Sequence, residues 1–216
     1  MCIRDRYITR HSKTLWNEQK RLQGRLDSPL TQEGIDNALA LKKYLTDNAL
    51  QFDCVYSSPI PRAYQTACLL FGQEKVITDD RLMEMNFGVF EGQKIADLLK
   101  NQHELYHQLW NQPELFERIP QGESYDEVMT RVKSFLNDLK QMDSDSQIFI
   151  VTHGMCFVIF MAVILQLDKK DFVKINQQIV EGCSLTCIEE HDGIYQVLSY
   201  NDHYFLPHVM HASFAK

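Results

Sequence analysis

The sequence is poor in the two residues that most often break compact structure, with 9 glycines and 6 prolines among 216 residues. This scarcity excludes collagen-like and low-complexity chains, and a hydrophobic fraction of 44% excludes an intrinsically disordered one. The chain also lacks an excess of positive charge, because 22 Lys and Arg face 29 Asp and Glu. A net charge of −7 argues against a nucleic acid or a membrane as partner. An anionic ligand must therefore be held by a few focused Arg or His residues.

No apolar run is long enough to span a bilayer. The longest, residues 155–167, is interrupted only by Gln166 and predicts a buried helix. The start of the chain carries Arg4, Asp5 and Arg6 where a secretory signal would be apolar, so we expect a cytoplasmic protein.

The six cysteines include no Cys-x-x-Cys pair. Most have apolar neighbours, which predicts buried free thiols rather than a metal or redox site. They are Cys2, Cys54, Cys68, Cys156, Cys183 and Cys187.

Strand and helix patterns alternate along the chain, which predicts one α/β domain over residues 1–216, a three-layer α/β/α sandwich with a mostly parallel central sheet. Its most secure helix follows a capping box from Ser124 to Glu127. A single helix pattern and two prolines in residues 92–122 suit an inserted lid. The predicted strands are 7–9, 54–56, 75–78, 147–152, 184–189 and 195–200, the last two flanking a turn at 191–193. The other predicted helices are 61–71 and one capped by Thr31, with Ile35, Ala38, Leu39 and Leu45 on one face.

Two histidines and two arginines occupy positions at strand ends, where ligands collect. His11 follows the first strand and His153 the strongest one, while Arg10 precedes His11. Arg62 begins the helix after the second strand, so these side chains converge on one crevice at the carboxyl edge of the sheet. Guanidinium and imidazole groups together suit a phosphoryl group. Taken singly, each has an ordinary structural explanation, and Glu84 fits an ion pair as well as catalysis.

Several short motifs surround these residues, and together they are more specific than any one of them. In chain order they resemble the histidine phosphatase (phosphoglycerate mutase-like) superfamily over nearly the whole chain. The motifs are Thr9-Arg10-His11-Ser12 with Asn17, Arg21-Leu22-Gln23-Gly24, Asp27-Ser28-Pro29-Leu30-Thr31 with Gly34, Tyr56-Ser57-Ser58-Pro59-Ile60-Pro61-Arg62-Ala63 with Thr66-Ala67, Glu84 with Phe87-Gly88 and Glu91-Gly92, Gly122-Glu123-Ser124, and Val151-Thr152-His153-Gly154.

The resemblance implies a phosphohistidine mechanism. His11 attacks phosphorus, and Glu84 serves first as acid and then as base. Arginine and histidine side chains hold the phosphoryl oxygens in the place that Mg²⁺ takes elsewhere, so no metal and no cofactor is expected. The substrate-binding residues that the resemblance implies are Arg10, Asn17, Gln23, Gly24, Arg62 and His153.

Two features depart from the family pattern. Upstream of His11 the family normally has a run of apolar strand residues, whereas this chain has Arg4-Asp5-Arg6, which indicates that the first six residues are non-native or that the first strand is short. The residue after the histidine is usually Gly, and here it is Ser12, whose side chain adds bulk beside the nucleophile and whose hydroxyl is a candidate phosphate contact.

The residues after Glu84 separate two branches of the family. Mutases typically carry a basic pair there, whereas this chain has Met85-Asn86, and residues 87–92 resemble the phosphatase branch. We therefore predict hydrolysis of a small phosphomonoester, with cofactor-dependent phosphoglycerate mutase activity as the alternative.

In the lid, five apolar side chains either form the pocket wall or pack the lid onto the core: Tyr106, Leu109, Trp110, Phe116 and Ile119.

Two alternatives come from other classes of protein. His103-Glu104-Leu105-Tyr106-His107 matches the zinc-protease pattern H-E-x-x-H, with Glu127 as a conceivable third ligand. Glu127 is better explained by its place in the capping box. The other alternative is a protein of this fold that binds a phosphorylated ligand or partner protein without turnover. Ser12 favours this alternative if its side chain displaces His11 from the in-line position for attack on phosphorus.

Overall fold

The structure is a computed structural model that describes residues 3–142, 146–176, 180–191 and 193–208. Met1, Cys2 and Asp192 of the predicted turn lie outside this part of the chain. The strands are β1 (Ile3–Arg10), β2 (Cys54–Ser57), β3 (Val76–Thr78), β4 (Ile148–Thr152), β5 (Leu185–His191) and β6 (Ile194–Asp202). The α-helices are α1 (Leu15–Glu18), α2 (Gln32–Asp47), α3 (Pro61–Phe71), α4 (Ile95–Asn101), α5 (His103–Asn111), α6 (Tyr125–Leu139), α7 (Gly154–Ile164) and α8 (Val173–Asn176). Short 3₁₀ turns lie at Gln73–Lys75, Asp80–Leu82, Gly88–Phe90 and Lys169–Asp171.

The described strands form one mixed sheet in the order β3-β2-β4-β1-β5-β6. The pairs β3/β2, β2/β4 and β4/β1 are parallel, and the last two pairs are antiparallel. This arrangement confirms the predicted mostly parallel α/β sheet. Arg10 at the end of β1 lies opposite Thr152 at the end of β4, so His11 and His153 leave the sheet side by side.

Strand β4 shows why the sheet is covered on both faces. All five of its residues are buried. Ile148 and Ile150 belong to the hydrophobic cluster that includes α6 and α7, whereas Phe149 and Val151 belong to the cluster that includes α2 and α3. Because successive strand residues point to opposite faces, helices lie on both sides and the three-layer prediction is confirmed.

The predicted helix starts are present. The Thr31 hydroxyl accepts the backbone N–H of Gly34 at the start of α2, and Ser124 and Glu127 form the capping box of α6. The expected apolar face of α2 is partly wrong, because Leu39 is 47% exposed. The buried stripe runs instead through Ala38, Leu41 and Leu45.

Two predictions from sequence patterns were wrong: the length of the first strand and the number of helices in residues 92–122. Strand β1 is longer than predicted and includes Arg6. Arg6 is buried there because its guanidinium has polar partners: it donates to the Ser146 carbonyl at 2.9 Å and lies 3.7 Å from Glu190. The single helix pattern of residues 92–122 is two helices, α4 and α5, separated at Gln102.

The five described cysteines are free thiols, as predicted. Cys156, Cys183 and Cys187 are buried, whereas Cys54 and Cys68 are half-buried. In the part of the chain that the structure describes, no helix is both long and apolar enough to cross a membrane.

Candidate active site

His11 lies directly after β1, and its hydrogen bonds define which ring nitrogen carries the proton. Nδ1 is 2.7 Å from the Ser12 carbonyl oxygen, which can only accept, so the proton is on Nδ1. Nε2 is left with its lone pair and accepts a hydrogen bond from Arg62 Nε at 3.2 Å. The ring therefore presents the nucleophilic nitrogen toward the guanidinium.

The surroundings of His11 favour the neutral ring. Burial, followed by the positive charges of Arg62 and Arg10, holds the pKa of His11 well below its ordinary value of 6.5. A histidine kept neutral at physiological pH has a free lone pair on Nε2, which is the form that attacks phosphorus.

Arg62, in the first turn of α3, is buried and fixed by the loop at residues 24–27. Its NH2 donates to the Gly24 carbonyl at 2.6 Å and its NH1 to the Leu26 carbonyl at 2.8 Å. Asp27 accepts from the same NH1 at 3.2 Å. Gly24 has φ +60°, and an added Cβ would overlap the Glu91 carboxylate, so the loop that holds Arg62 requires glycine there.

Two buried nitrogens of the site have no hydrogen-bond partner among the described residues. They are Arg10 Nε and His153 Nδ1. Arg10 NH1 donates to the Val180 carbonyl at 3.2 Å, so the guanidinium is held in place while its Nε stays unused. Buried donors without partners cost free energy, and a bound anion would satisfy them.

Glu84 faces the same space from the other side. Its carboxylate accepts backbone N–H groups of Met85 at 2.9 Å, Met155 at 3.1 Å and Cys156 at 2.9 Å. Two of these donors belong to the first turn of α7, so the Glu84 side chain is held at the start of that helix. A Cβ placed on Gly154 would lie 3.7 Å from both Glu84 Oε2 and Arg10 Nε, so these two side chains border one spot.

Arg10, His11, Arg62 and Glu84 line one cavity. The sequence-predicted site residues that line it are Arg10, His11, Asn17, Gln23, Gly24, Arg62 and Glu84. His153 is fully buried and does not line the cavity, although its ring centroid is 5.1 Å from that of His11. Asn17 Oδ1 is already occupied by the backbone N–H of Thr14, so its side-chain NH₂ is the group left for a ligand.

The remaining lining residues were only partly foreseen. Of the five candidate wall residues in segment 92–122, Trp110 lines the cavity, whereas the other four are buried in the core and do not. The predicted site residues did not include six that line the cavity: Arg21, Leu22, Phe87, Gly154, Met155 and Val158. All of these except Val158 lie in a motif quoted above or within two residues of a predicted site residue, and that proximity was the available signal.

Ser12 does not contact the cavity. Its hydroxyl donates to the Gly34 carbonyl at 2.7 Å, and its backbone N–H donates to Thr66 Oγ1 at 3.1 Å. The expectation that this hydroxyl is a phosphate contact is therefore wrong. The added side chain is accommodated between β1 and α2, and His11 keeps its contact with Arg62.

The zinc-protease pattern does not assemble a metal site in the described residues. His103 and His107 lie on α5 with ring centroids 5.8 Å apart, while Glu127 bonds Ser124 in its capping box and Arg118 at 3.4 Å. No group of three or more His, Cys, Asp or Glu side chains in the described ranges is arranged to hold a metal ion. The third ligand that this alternative requires is not in place.

A sequence model of the histidine phosphatase superfamily (branch 1) matches residues 6–203. The chain belongs to this superfamily. A probable phosphoglycerate mutase GpmB of Yersinia pestis (strain Pestoides F) is 33% identical over 185 residues, which cover 85% of this chain and 83% of that protein.

Solved structures support the same fold. YhfR of Bacillus stearothermophilus has 28% identity and a TM-score of 0.86, with 94% of this chain and 99% of that chain covered. A phosphoglycerate mutase from Bacillus anthracis str. Sterne has 27% identity and a TM-score of 0.80, with 95% and 96% covered.

Proposed function

We propose that this protein is a metal-independent phosphomonoesterase that acts on a small phosphorylated metabolite through a phosphohistidine on His11. One observation carries the proposal: the Nε2 lone pair of His11 lies beside two buried guanidiniums, and Arg10 Nε is without a partner in the described structure. A buried cluster of cations in a chain of net charge −7 is stabilised by a bound anion.

In the first step, His11 Nε2 attacks phosphorus, the P–N bond forms and the ester P–O bond breaks. Arg62 Nε, released from Nε2, donates to a phosphoryl oxygen, and Arg10 stabilises the negative charge with it. The departing oxygen takes a proton from Glu84, so the alcohol leaves neutral.

In the second step, water attacks the phosphohistidine from the side of the departed alcohol. Glu84, now a carboxylate, accepts a proton from the water as the new P–O bond forms and the P–N bond breaks. Inorganic phosphate leaves, and His11 returns to its starting protonation. The backbone donors of Met155 and Cys156 hold the Glu84 carboxylate in one orientation through both steps.

The walls of the cavity favour hydrolysis over mutase activity. A mutase must retain the phosphoryl group and hold a second acidic group of its substrate, which calls for further cations. Segment 92–122 contributes Trp110 to the described lining and no cation. Met85 is buried, and Asn86 Oδ1 accepts the backbone N–H of Gly88, so the position of the basic pair in mutases offers no positive charge.

Phosphoglycerate mutase activity is the second candidate, and the names of the Yersinia and B. anthracis relatives favour it. Besides Arg10, Arg62 and His11, the described lining of the cavity includes one more basic residue, Arg21. Arg21 supplies one positive charge for the carboxylate of a phosphoglycerate. Incubation with a phosphoglycerate separates the two functions. We expect inorganic phosphate as the product, and isomerisation without phosphate release would assign the mutase function instead.

The direct test is phosphate release from p-nitrophenyl phosphate in excess EDTA. We expect turnover by the natural chain, and a loss of about 10³-fold or more in His11→Ala because the covalent route is removed. His103→Ala, on the exposed side of α5, is the matched control and should keep the natural rate. Activity that EDTA abolishes, or that His11→Ala retains, would refute the mechanism. Phosphate binding without turnover would assign a silent binding protein.

A further inference from the structure

Ser58 and His153 form a hydrogen bond that lies beneath the cavity. Ser58 follows β2, and both side chains are fully buried. His153 Nε2 is 2.7 Å from Ser58 Oγ. The same oxygen accepts the backbone N–H of Ile60 at 3.2 Å.

These contacts indicate where the hydrogens lie. The Ser58 hydroxyl has one hydrogen to donate, and the acceptor that the described residues place beside it is His153 Nε2. If Nε2 carried the ring proton instead, the buried hydroxyl hydrogen would be left without that acceptor. The arrangement that satisfies the hydroxyl puts the proton of a neutral His153 ring on Nδ1.

Nδ1 is the nitrogen that a ligand can use. It is buried and without a hydrogen-bond partner in the described structure, and its ring lies against that of His11. A phosphoryl group carried by His11 would lie beside this ring, where an N–H would donate to its oxygen and a lone pair would repel it. Burial, followed by the charges of Arg62, His11, Arg10 and Arg131, holds the pKa of His153 well below its ordinary value. The choice of tautomer therefore decides what the ring offers.

We propose that Ser58 is a positioning residue that fixes His153 in the Nδ1–H tautomer, so that this N–H donates to the phosphoryl group during transfer. The inference rests on the proposed function for the role of the donor, but not for the tautomer itself. Ser58 does not line the cavity and acts through His153.

The tautomer is measured directly on the natural protein by ¹⁵N NMR of labelled histidine side chains. The His153 signals are assigned by their loss in His153→Asn. We expect a protonated Nδ1 and an unprotonated Nε2 for this ring near neutral pH. A ring protonated on Nε2 alone, or on both nitrogens, overturns the proposal, and the result does not depend on any substrate.

The kinetic test uses two neighbouring serines. Ser58→Ala removes the donor to Nε2, and we expect kcat/KM for p-nitrophenyl phosphate to fall about 10- to 100-fold together with loss of the single His153 tautomer. Ser57→Ala is the matched control, because Ser57 is equally buried and donates to the Ser58 carbonyl at 2.9 Å, not to a histidine. Ser58→Thr keeps the hydroxyl and should recover most of the activity.

Three outcomes separate this proposal from the one on which it rests. Equal losses in Ser58→Ala and Ser57→Ala, or an unchanged tautomer and rate in Ser58→Ala, reject the positioning role. Full activity in His11→Ala rejects the phosphohistidine mechanism, while the NMR result still decides the tautomer. Inactive His11→Ala together with the expected tautomer and a selective loss in Ser58→Ala supports both.

Discussion

Arg62 and His11 share a hydrogen bond that substrate must break in the proposed mechanism. Arg62 Nε donates to His11 Nε2, the nitrogen proposed to attack phosphorus, so in the free protein this lone pair is occupied. The other nitrogens of the guanidinium are held by carbonyls of the loop at residues 24–27. Arg62 therefore needs only to redirect one N–H from the ring to a phosphoryl oxygen, and its position changes little during the reaction.

The lowered pKa of His11 predicts an unusual acid limit for turnover. A histidine with an ordinary pKa of 6.5 would be about three-quarters protonated, and inactive as a nucleophile, at pH 6. Because burial and two arginines lower the pKa of His11, we expect its neutral form to persist to pH 6, so protonation of His11 should cause no fall in kcat/KM between about pH 7.5 and pH 6.

The measurement is a pH–rate profile with two substrates whose phosphate groups ionise at different pH. A limb caused by the substrate moves from one substrate to the other, whereas a limb caused by His11 stays in place. A fixed limb centred near pH 6.5 would contradict the expected shift of the His11 pKa.

At the scale of elements, Glu91 joins two loops of the site. Its carboxylate accepts the backbone N–H groups of Arg25 and Leu26, both at 2.9 Å, and of Phe87 at 2.9 Å. The first two belong to the loop that holds Arg62, and the third lies close to Glu84. One side chain thus ties the loop that holds Arg62 to the segment that carries Glu84.

Glu91→Gln should weaken this connection. An amide has one accepting oxygen, and its NH₂ group would face backbone N–H groups that also donate. We expect a loss of about 1–3 kcal/mol in the free energy of unfolding and about a tenfold loss in kcat/KM. Urea unfolding and phosphatase kinetics measure the two effects. Glu104→Gln, on the exposed side of α5, is the control, and an equal response in both variants would argue against the role of Glu91.

The elements differed in how well sequence could predict them. Strand β4 was predictable because its four consecutive apolar residues, Ile148 to Val151, allow no exposed face. Helix α6 was predictable because its capping box satisfies its own first backbone groups. Arg6 was misleading because its burial depends on Glu190, which is far along the chain and invisible to any local pattern. The break between α4 and α5 at Gln102 has no glycine or proline to mark it.

The candidate site was predictable for a different reason. His11, Arg62 and Glu84 belong to motifs whose order is specific, and the topology of a parallel sheet brings strand ends together. What could not be predicted were the contacts that cross between elements, such as the bond from Ser58 to His153 and the turn of the Ser12 hydroxyl toward Gly34. These contacts join segments that are far apart in the sequence, so no local sequence pattern predicts them.

At the scale of the whole molecule, the buried histidines couple stability to pH. The pKa values of His11 and His153 are lowered in the folded state, whereas in the unfolded chain they return to about 6.5. Below pH 6.5 the unfolded chain binds more protons, so stability is lost as the pH falls toward the folded-state pKa values. Each histidine contributes a slope of up to about 1.4 kcal/mol per pH unit in that window.

Urea unfolding between pH 7 and pH 5, in buffers without phosphate, measures this slope. We expect His153→Asn to reduce it by up to the contribution of one histidine, and His103→Asn on the exposed side of α5 to leave it unchanged. A slope that is the same in the natural chain and in His153→Asn would show that the buried ring takes no part in acid unfolding.

The C-terminal end of helix α5 accepts hydrogen bonds from side chains of two other helices. The Tyr125 hydroxyl on α6 donates to the carbonyl of Leu109, and Asn176 Nδ2 on α8 donates to the carbonyl of Trp110 at 3.2 Å. These carbonyls belong to the last turn, which has no partners within the helix itself. The backbone of Trp110 is therefore held in place, and its side chain is buried. Little conformational entropy of this wall would be left to lose on binding of a ligand, so the wall is preorganised.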